Sequence, residues 1–317
     1  MRYLGRKLLR LVFVVAAVTT LTFLLVALLP GDVAYLIVGD TATPAEVEAV
    51  RQQLGLDRPI LVRYGDWLAA LAQGDLGISL RTSEPVGEAI LSRLPVTIEL
   101  MVLAQVIAVA LAVPLGVLCA YRQNRWIDNA VTLAGFAMIS VPPFVMALVL
   151  IFTVALRLGW LPATGYVPLS ESLWGNLRTF ALPALSIALI EWVTLMRLLR
   201  NDMIMTLQED FIAMARAKGL PAWRILLRHA LRPSSFSLIT ILGLQIGALI
   251  GGTLIIESIF ALPGIGRLLL TGIFSRDYVV VQGCILFIAV AYVAINFLVD
   301  LTYTFLDPRI RVGGRDG

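Results

Sequence analysis

Of the 317 residues, 15% are charged and 59% hydrophobic, and the mean hydropathy is +0.89; a soluble domain of this length would be about a quarter charged, so this composition marks a membrane protein. The net charge of +4 comes from basic residues that alternate with long apolar runs rather than gathering on one soluble face, which argues against a nucleic-acid-binding module. The two cysteines, Cys119 and Cys284, each lie inside an apolar run, which argues against a disulfide framework or a metal cluster.

A bilayer core about 30 Å thick needs roughly 20 apolar helical residues. Six segments meet that need: Leu11 to Leu29, Leu100 to Ala120, Ala130 to Leu156, Thr179 to Met196, Ser234 to Ile256 and Val279 to Val299. The first follows Arg2, Arg6, Lys7 and Arg10, but its apolar run is too long for a signal peptide and no small-x-small cleavage site follows, so it is expected to stay attached. Between the first and second spans, Thr43-Pro44-Ala45-Glu46 reads as a capping box with proline at the first helical position, and Gly55 as the stop. A second helix is expected from Pro59 to about Gln73, with Leu61, Tyr64, Leu68 and Leu71 at helical spacing and Gly74 as terminator. This segment is either an interfacial cap over the span ends or a docking surface for an external partner. In the third span, Ser140-Val141-Pro142-Pro143 predicts a kink.

Between the fourth and fifth spans lies a basic stretch. Asp210 to Lys218 predicts a short helix with an acid at its start, Gly219 a stop, and Pro221 the opening of another helix. In that second helix Trp223, Leu226, Leu227, Ala230 and Leu231 share one face, while Arg224, Arg228 and Arg232 recur at four-residue steps on another. Helix, glycine turn and amphipathic helix together make an elbow at the membrane surface. Its basic residues either set topology alone or serve a partner as well.

The basic residues also orient the chain. With the N-terminus inside, the inner segments hold 16 of the 25 basic residues and 6 of the 21 acids, whereas the outer segments hold 9 and 12. Both termini and the elbow are therefore expected on the cytoplasmic side. Three acids remain within or at the ends of spans: Glu99, Glu191 and Asp300.

Asp210-Phe211-Ile212, Ala215-Arg216-Ala217-Lys218-Gly219 and Arg228-His229-Ala230-Leu231-Arg232 resemble the cytoplasmic coupling loop, the EAA loop, of ABC importer permeases. More narrowly, they resemble the B-type branch of the dipeptide, oligopeptide and nickel permease family. Further blocks follow that family's order: Leu29-Pro30-Gly31-Asp32, Leu54-Gly55-Leu56-Asp57-Arg58-Pro59, Gly74-Asp75-Leu76-Gly77, Pro95-Val96-Thr97-Ile98-Glu99-Leu100, Gly159-Trp160-Leu161-Pro162, Glu257-Ser258-Ile259-Phe260, Pro263-Gly264-Ile265-Gly266, Arg276-Asp277-Tyr278 and Leu306-Asp307-Pro308-Arg309-Ile310-Arg311. Two departures stand out. Ala213 occupies the position where the loop's name leads one to expect Glu, and Pro233 and Ser237 replace the usual Asn and Pro after Arg232. Pro233 is expected to end the surface helix ahead of the fifth span.

The resemblance implies an all-α polytopic membrane protein with the type I importer fold. Residues 1–30 would form a cytoplasmic tail and the first span, 31–94 an external segment, 95–306 a five-helix permease core with the coupling loop at 201–233, and 307–317 a cytoplasmic tail. It further implies a multi-pass protein of the bacterial inner membrane that works with a second, C-type permease, one or two ATPase subunits and an external substrate-binding protein. The chain has no G-x-x-x-x-G-K-[ST] phosphate loop, so ATP and Mg would be bound by the ATPases, and the chain itself would hold no cofactor and be no enzyme. The residues expected to engage the ATPase are Asp210, Phe211, Met214, Ala215, Arg216, Ala217, Lys218, Gly219 and His229, of which Phe211, Met214, Ala215 and Gly219 would be covered by it. Gly219 is either a close-approach position or only a helix stop.

Charges at membrane depth cost roughly 2.5–3.5 kcal/mol on insertion scales, so they face a partner or water. Glu191, the deepest acid, is the first candidate for lining a pathway, with Glu99, Pro142 and Pro143 beside it. Peptides are the expected cargo, with nickel or a metal chelate and glutathione as alternatives. A proton-coupled secondary transporter using Glu99, Glu191 and Asp300 as a relay, or a membrane scaffold, are the readings from other classes.

Overall fold

The computed structural model describes residues 2–28, 43–53, 55 and 57–306. The expected Leu29-to-Asp32 block, the side chain of Asp300 and the terminal segment 307–317 lie outside the described residues. Twelve helices follow in order among the described residues: α1 (Arg2–Leu28), α2 (Pro44–Gln53), α3 (Ile60–Ala72), α4 (Val86–Tyr121), α5 (Trp126–Ile139), α6 (Pro143–Arg157), α7 (Leu173–Thr206), α8 (Asp210–Ala217), α9 (Ala222–Gly252), α10 (Leu254–Ile259), α11 (Ile265–Ser275) and α12 (Tyr278–Leu306). The β-pairing found among them is an isolated antiparallel bridge, Ile78 with Pro85.

Four helices are long and apolar enough to cross a membrane: α4, α7, α9 and the Tyr278–Val299 part of α12. The α5–α6 pair makes a fifth if it is one span, and in α1 the described apolar stretch is the shorter Val12–Leu24. The third expected span is broken rather than kinked, its halves meeting at 100°. Pro142 has the extended backbone that a following proline favours (φ −60°, ψ 146°), and Pro143 opens α6 where its missing N–H leaves no gap. The other end of α6 widens into a π-helical turn, Ile151–Arg157.

Pro233 does not end the surface helix, contrary to expectation. The chain passes through a π-helical turn, Ile225–Ala230, into the regular helix Leu231–Gly252, and Pro233 follows that widened turn, where the regular i→i−4 ladder is already interrupted. Surface helix and fifth span are thus one rod. The fourth span also runs further than expected, from Leu173 to Thr206, and carries Pro183 in its interior.

The chain divides into two compact units, Met1–Val96 with Pro263–Ala294 and Thr97–Leu262 with Ile295–Gly317. In the first, Phe23 of α1 packs against Tyr64 and Trp67 of α3, with ring centroids 5.1 and 5.6 Å apart, and Thr20 hydrogen-bonds the Tyr64 hydroxyl. The α3 helix buries no residue fully and leaves Leu61 79% exposed. The glycines expected to stop α2 and α3, Gly55 and Gly74, both have positive φ.

In the second unit the core gathers around the end of α7 nearest Thr206. Leu195, Met196, Leu199 and Met203 of α7 are buried with Ala108, Ala112 and Cys119 of α4, Ile212 and Ala215 of α8, and Ile225, Ala230 and Leu238 of α9. Small residues permit this closeness. A Cβ on Gly116 would meet Leu199 Cδ2 and the Met196 carbonyl oxygen at 3.2 Å, and one on Gly135 would fall 2.9 Å from Val193 Cγ1.

Candidate functional site

The elbow is built as its residue types dictate. Helix α8 has Asp210 in its first turn and Arg216 in its last, the arrangement favoured by the helix dipole. Gly219 at φ +73° reverses the chain, its N–H donating to the Arg216 carbonyl at 2.9 Å, while Leu220 N–H reaches the Ala215 carbonyl at 3.3 Å. Pro221 then stands at the N-cap of α9. Arg216 closes the other side of α8 through its Nη2 to the Leu207 carbonyl at 3.4 Å.

The two faces of α8 differ sharply. Ile212 and Ala215, three residues apart, enter the chain's own core, whereas Phe211 is 46% and Met214 59% exposed. Ala215 was expected to lie under a partner. With 6% of its surface accessible it is instead covered by this chain, and Phe211 and Met214 are the apolar side chains left to offer outward. Gly219 has open space where a Cβ would be, so within this chain its work is the left-handed turn and not a close approach. Ala217 and Lys218 are exposed and His229 partly so. In α9 the buried edge is Ile225 and Ala230; Trp223 and Leu227, read from periodicity as lying with Ala230, are exposed. The π-turn shifts the register by one residue and redirects the face.

The elbow is tied to the long helices on either side of it. Thr206 at the end of α7 and Ser234 of α9 share a hydrogen bond of 2.9 Å, and Ser234 also donates to the Ala230 carbonyl at 2.9 Å. Next to this, the Arg200 guanidinium of α7 forks onto Asp128 of α5, Nε to Oδ1 and Nη2 to Oδ2 both at 2.6 Å, and the Asn124 backbone N–H adds a third bond to Oδ2 at 2.9 Å. Arg197, one turn earlier, lies over the Phe136 ring at 4.7 Å. Sequence reading missed the fork. The visible signal was Asp128 in the first turn of α5, but nothing local names its partner.

The acids expected at membrane depth do not come together. Glu99 on α4 lies near the Asn176 side chain, which donates through Nδ2 to the Val167 carbonyl at 3.0 Å. Burial, and then the charge of Glu99, push the nearby Tyr166 phenol above its ordinary value. Glu191, partly buried, stands on the same helix as Asn176 but fifteen residues further along, about 22 Å at 1.5 Å per residue. A direct proton relay between Glu99 and Glu191 does not span that distance. Sequence reading counted Glu257 among the outer-segment acids, yet it is fully buried and accepts hydrogen bonds from Thr97 Oγ1 at 2.8 Å and Thr253 Oγ1 at 3.0 Å. Thr253, four residues before it on the same helical face, was the available clue. Among the described residues no group of histidine, cysteine or acidic side chains is placed to hold a metal ion.

Among the described residues the chain is helical, with several membrane-length apolar helices and an elbow between two of them, the organisation of a multi-pass membrane protein. A family profile described as the binding-protein-dependent transport system inner membrane component matches residues 112–312, and the profile for the N-terminal part of such components matches 1–101. The chain belongs to this family. It is 45% identical over 298 residues to a Brucella abortus (strain 2308) protein named for a peptide transport system permease, across 94% of this chain and 95% of that one. It is 39% identical over 325 residues to DdpB of Escherichia coli (strain K12), named for a D,D-dipeptide transport system permease, across 96% of each. It is also 36% identical over 329 residues to the dipeptide transport system permease protein DppB of Alkalihalophilus pseudofirmus, across 98% of this chain and 99% of that one. The protein is thus a permease subunit of an ABC transport system and not the subunit that hydrolyses ATP.

Proposed function

We propose that this chain is the B-type permease of an ATP-driven peptide importer in the bacterial inner membrane. It pairs with a C-type permease around a shared pathway, receives peptide from an external binding protein, and is moved by separate ATPase subunits that bind ATP and Mg. The names of its relatives support peptide as the cargo, ahead of a metal chelate or glutathione. The excess of basic residues in the 201–233 stretch and at the ends supports six spans with both termini and the elbow in the cytoplasm. In this reading the chain is organised as an N-terminal tail and span (1–30), an external segment (31–94), a five-helix core (95–306) and a cytoplasmic tail (307–317).

The observation that carries the coupling role is the split of α8 into a buried face, Ile212 and Ala215, and an exposed one, Phe211 and Met214. The exposed pair, with Asp210, Arg216, Ala217, Lys218 and His229 around it, presents a knob to the ATPase. The buried pair makes the displacement of that knob a displacement of α7 and α9, because a close-packed interior transmits strain. Along the pathway, Glu191 and Glu99 with the Pro142-Pro143 break are the candidates to meet cargo or water.

Replacing Phe211 and Met214 together by Asp tests the assignment. The variant should insert and pair with the second permease, yet lose co-purification with the ATPases and lose ATP-dependent peptide uptake in proteoliposomes. Full retention of both would refute the elbow as the coupling element.

A further inference from the structure

We propose that the cleft between the 77–86 loop and the α11–α12 corner is a carboxylate socket, which receives an acidic side chain of the external binding protein when it docks. The inference rests on the reading above that this part of the chain faces outward.

The loop is a built structure. Ser79 N–H donates to the Glu84 carbonyl and Val86 N–H to the Gly77 carbonyl, both at 2.9 Å. The Ser79 hydroxyl donates to Asp277 Oδ2 at 2.5 Å and accepts from the backbone N–H groups of Arg81 at 3.2 Å and Thr82 at 3.0 Å. Asp277 in turn accepts from Val280 N–H at 3.3 Å, capping α12. Gly77, at φ +89°, brings the loop so close to α12 that a Cβ would fall 2.7 Å from Val279 Cγ1.

This frame fixes Arg81. Its Nε donates to the Ser275 carbonyl at 3.2 Å, which sets the guanidinium at the rim of a cavity of about 360 Å³, and both of its Nη groups have no partner among the described residues. On another wall Arg93 is anchored through Nη1 to the Ala89 carbonyl at 2.7 Å. The acids nearby are already engaged: Asp277 by Ser79 and the α12 cap, and Glu84 by Arg93 at 3.7 Å. Arg81, Arg93 and Arg267 against Glu84 and Asp277 leave the lining of the cleft one positive charge in excess, and Arg81 is the member with two open nitrogens. Leu268 and Val280 give an apolar lining on which the stem of an Asp or Glu can rest.

The occupant follows from size and charge. At about 360 Å³ the cavity is at the small end of ligand pockets, which run from about 300 to 1,000 Å³, and has room for a side chain or two. A planar fork held at one nitrogen with two others open is the partner a carboxylate takes bidentately. The outer segments as a whole carry 12 acids against 9 basic residues, so the arginine cleft is a local reversal of sign. Such a feature sets register and encounter rate for a docking protein.

The test is the affinity of the assembled importer, in nanodiscs, for its peptide-loaded binding protein, measured at low and high salt with subunit assembly checked in parallel. Arg81→Glu should weaken docking about tenfold or more and flatten its salt dependence, and Arg81→Lys should weaken it less. Affinity and salt dependence unchanged in Arg81→Glu overturn the socket and leave the importer reading standing. Absence of any binding protein for the wild type overturns both. Should Arg81→Glu disturb assembly, Arg81→Gln decides: docking as tight as wild type refutes the socket, and weaker docking with intact assembly supports it.

Discussion

Asp128 and Arg200, 72 positions apart, are joined by two parallel hydrogen bonds of 2.6 Å, with Asp128 only 1% exposed. A planar guanidinium and a carboxylate in this register bind end-on, and the Asn124 N–H satisfies a further lone pair at 2.9 Å. The α5 start is thereby clamped to α7 six residues before that helix ends at Thr206. Removing one partner leaves the other charge buried and uncompensated, at a cost of about 3–5 kcal/mol. Arg200→Ala, which strands the buried Asp128 carboxylate, should therefore lower the melting temperature and the yield of the solubilised permease. Arg200→Lys should restore only part of the loss, because a point charge cannot reproduce the fork. An Arg200→Ala variant that melts with the wild type would show that the clamp carries no stability.

What the sequence made legible was whatever is written locally. The apolar runs placed the long helices, Gly55, Gly74 and Gly219 marked turns that do have positive φ, and Asp210 marked the start of α8. What stayed hidden depends on contacts distant in the chain. Ser140-Val141-Pro142-Pro143 located a bend, but 100° is set by what α6 packs against. Pro233 is a helix stop by propensity, and only the π-turn ahead of it lets the helix continue. Trp223 and Leu227 read as partners of Ala230 on an ideal helix, and that turn breaks the ideal spacing. The face of α8 that turns inward is decided by Met203 and Ile225, which periodicity cannot see.

The glycines of the spans set up a second prediction. A Cβ on Gly243 of α9 would lie 2.4 Å from Val299 Cγ2 and 2.8 Å from Val299 Cγ1, inside any real contact distance. Gly243→Ala should destabilise by about 1–3 kcal/mol through overpacking. Val299→Ala should relieve most of it, so that the double variant is more stable than Gly243→Ala alone. Additive losses in thermal melts of the four variants would place the two residues out of contact.

The separation of Glu99 from Glu191 predicts how uptake responds to a proton gradient. A permease in which Glu99 lies near Asn176, and Glu191 stands about 22 Å further along α7 from Asn176, has no direct relay to lose. Peptide uptake by Glu99→Gln with Glu191→Gln should remain ATP-dependent, and uptake by the wild type should not follow an imposed pH gradient when ATP is held constant. Uptake driven by the gradient without ATP, and abolished in the double variant, would instead favour a proton-coupled carrier.

The two faces of α8 separate stability from coupling. Ala215 sits at 6% exposure beside Leu199, Met203 and Ile225, so Ala215→Leu must push into a filled core and should cost about 1–3 kcal/mol in the permease alone. Phe211, 46% exposed, touches that core little, so Phe211→Ala should melt within about 0.5 kcal/mol of wild type, as surface changes usually do. In the assembled importer the order reverses. Phe211→Ala should weaken ATPase association and lower peptide-stimulated ATP hydrolysis, because an apolar anchor truncated at the centre of an interface commonly costs about 2 kcal/mol or more. Ala215→Leu, where it folds, should bind the ATPases normally. Melts of the permease and pull-down of the ATPases, run on the same two variants, check both halves, and an opposite ranking would mean that the buried face of α8 and not the exposed one meets the partner.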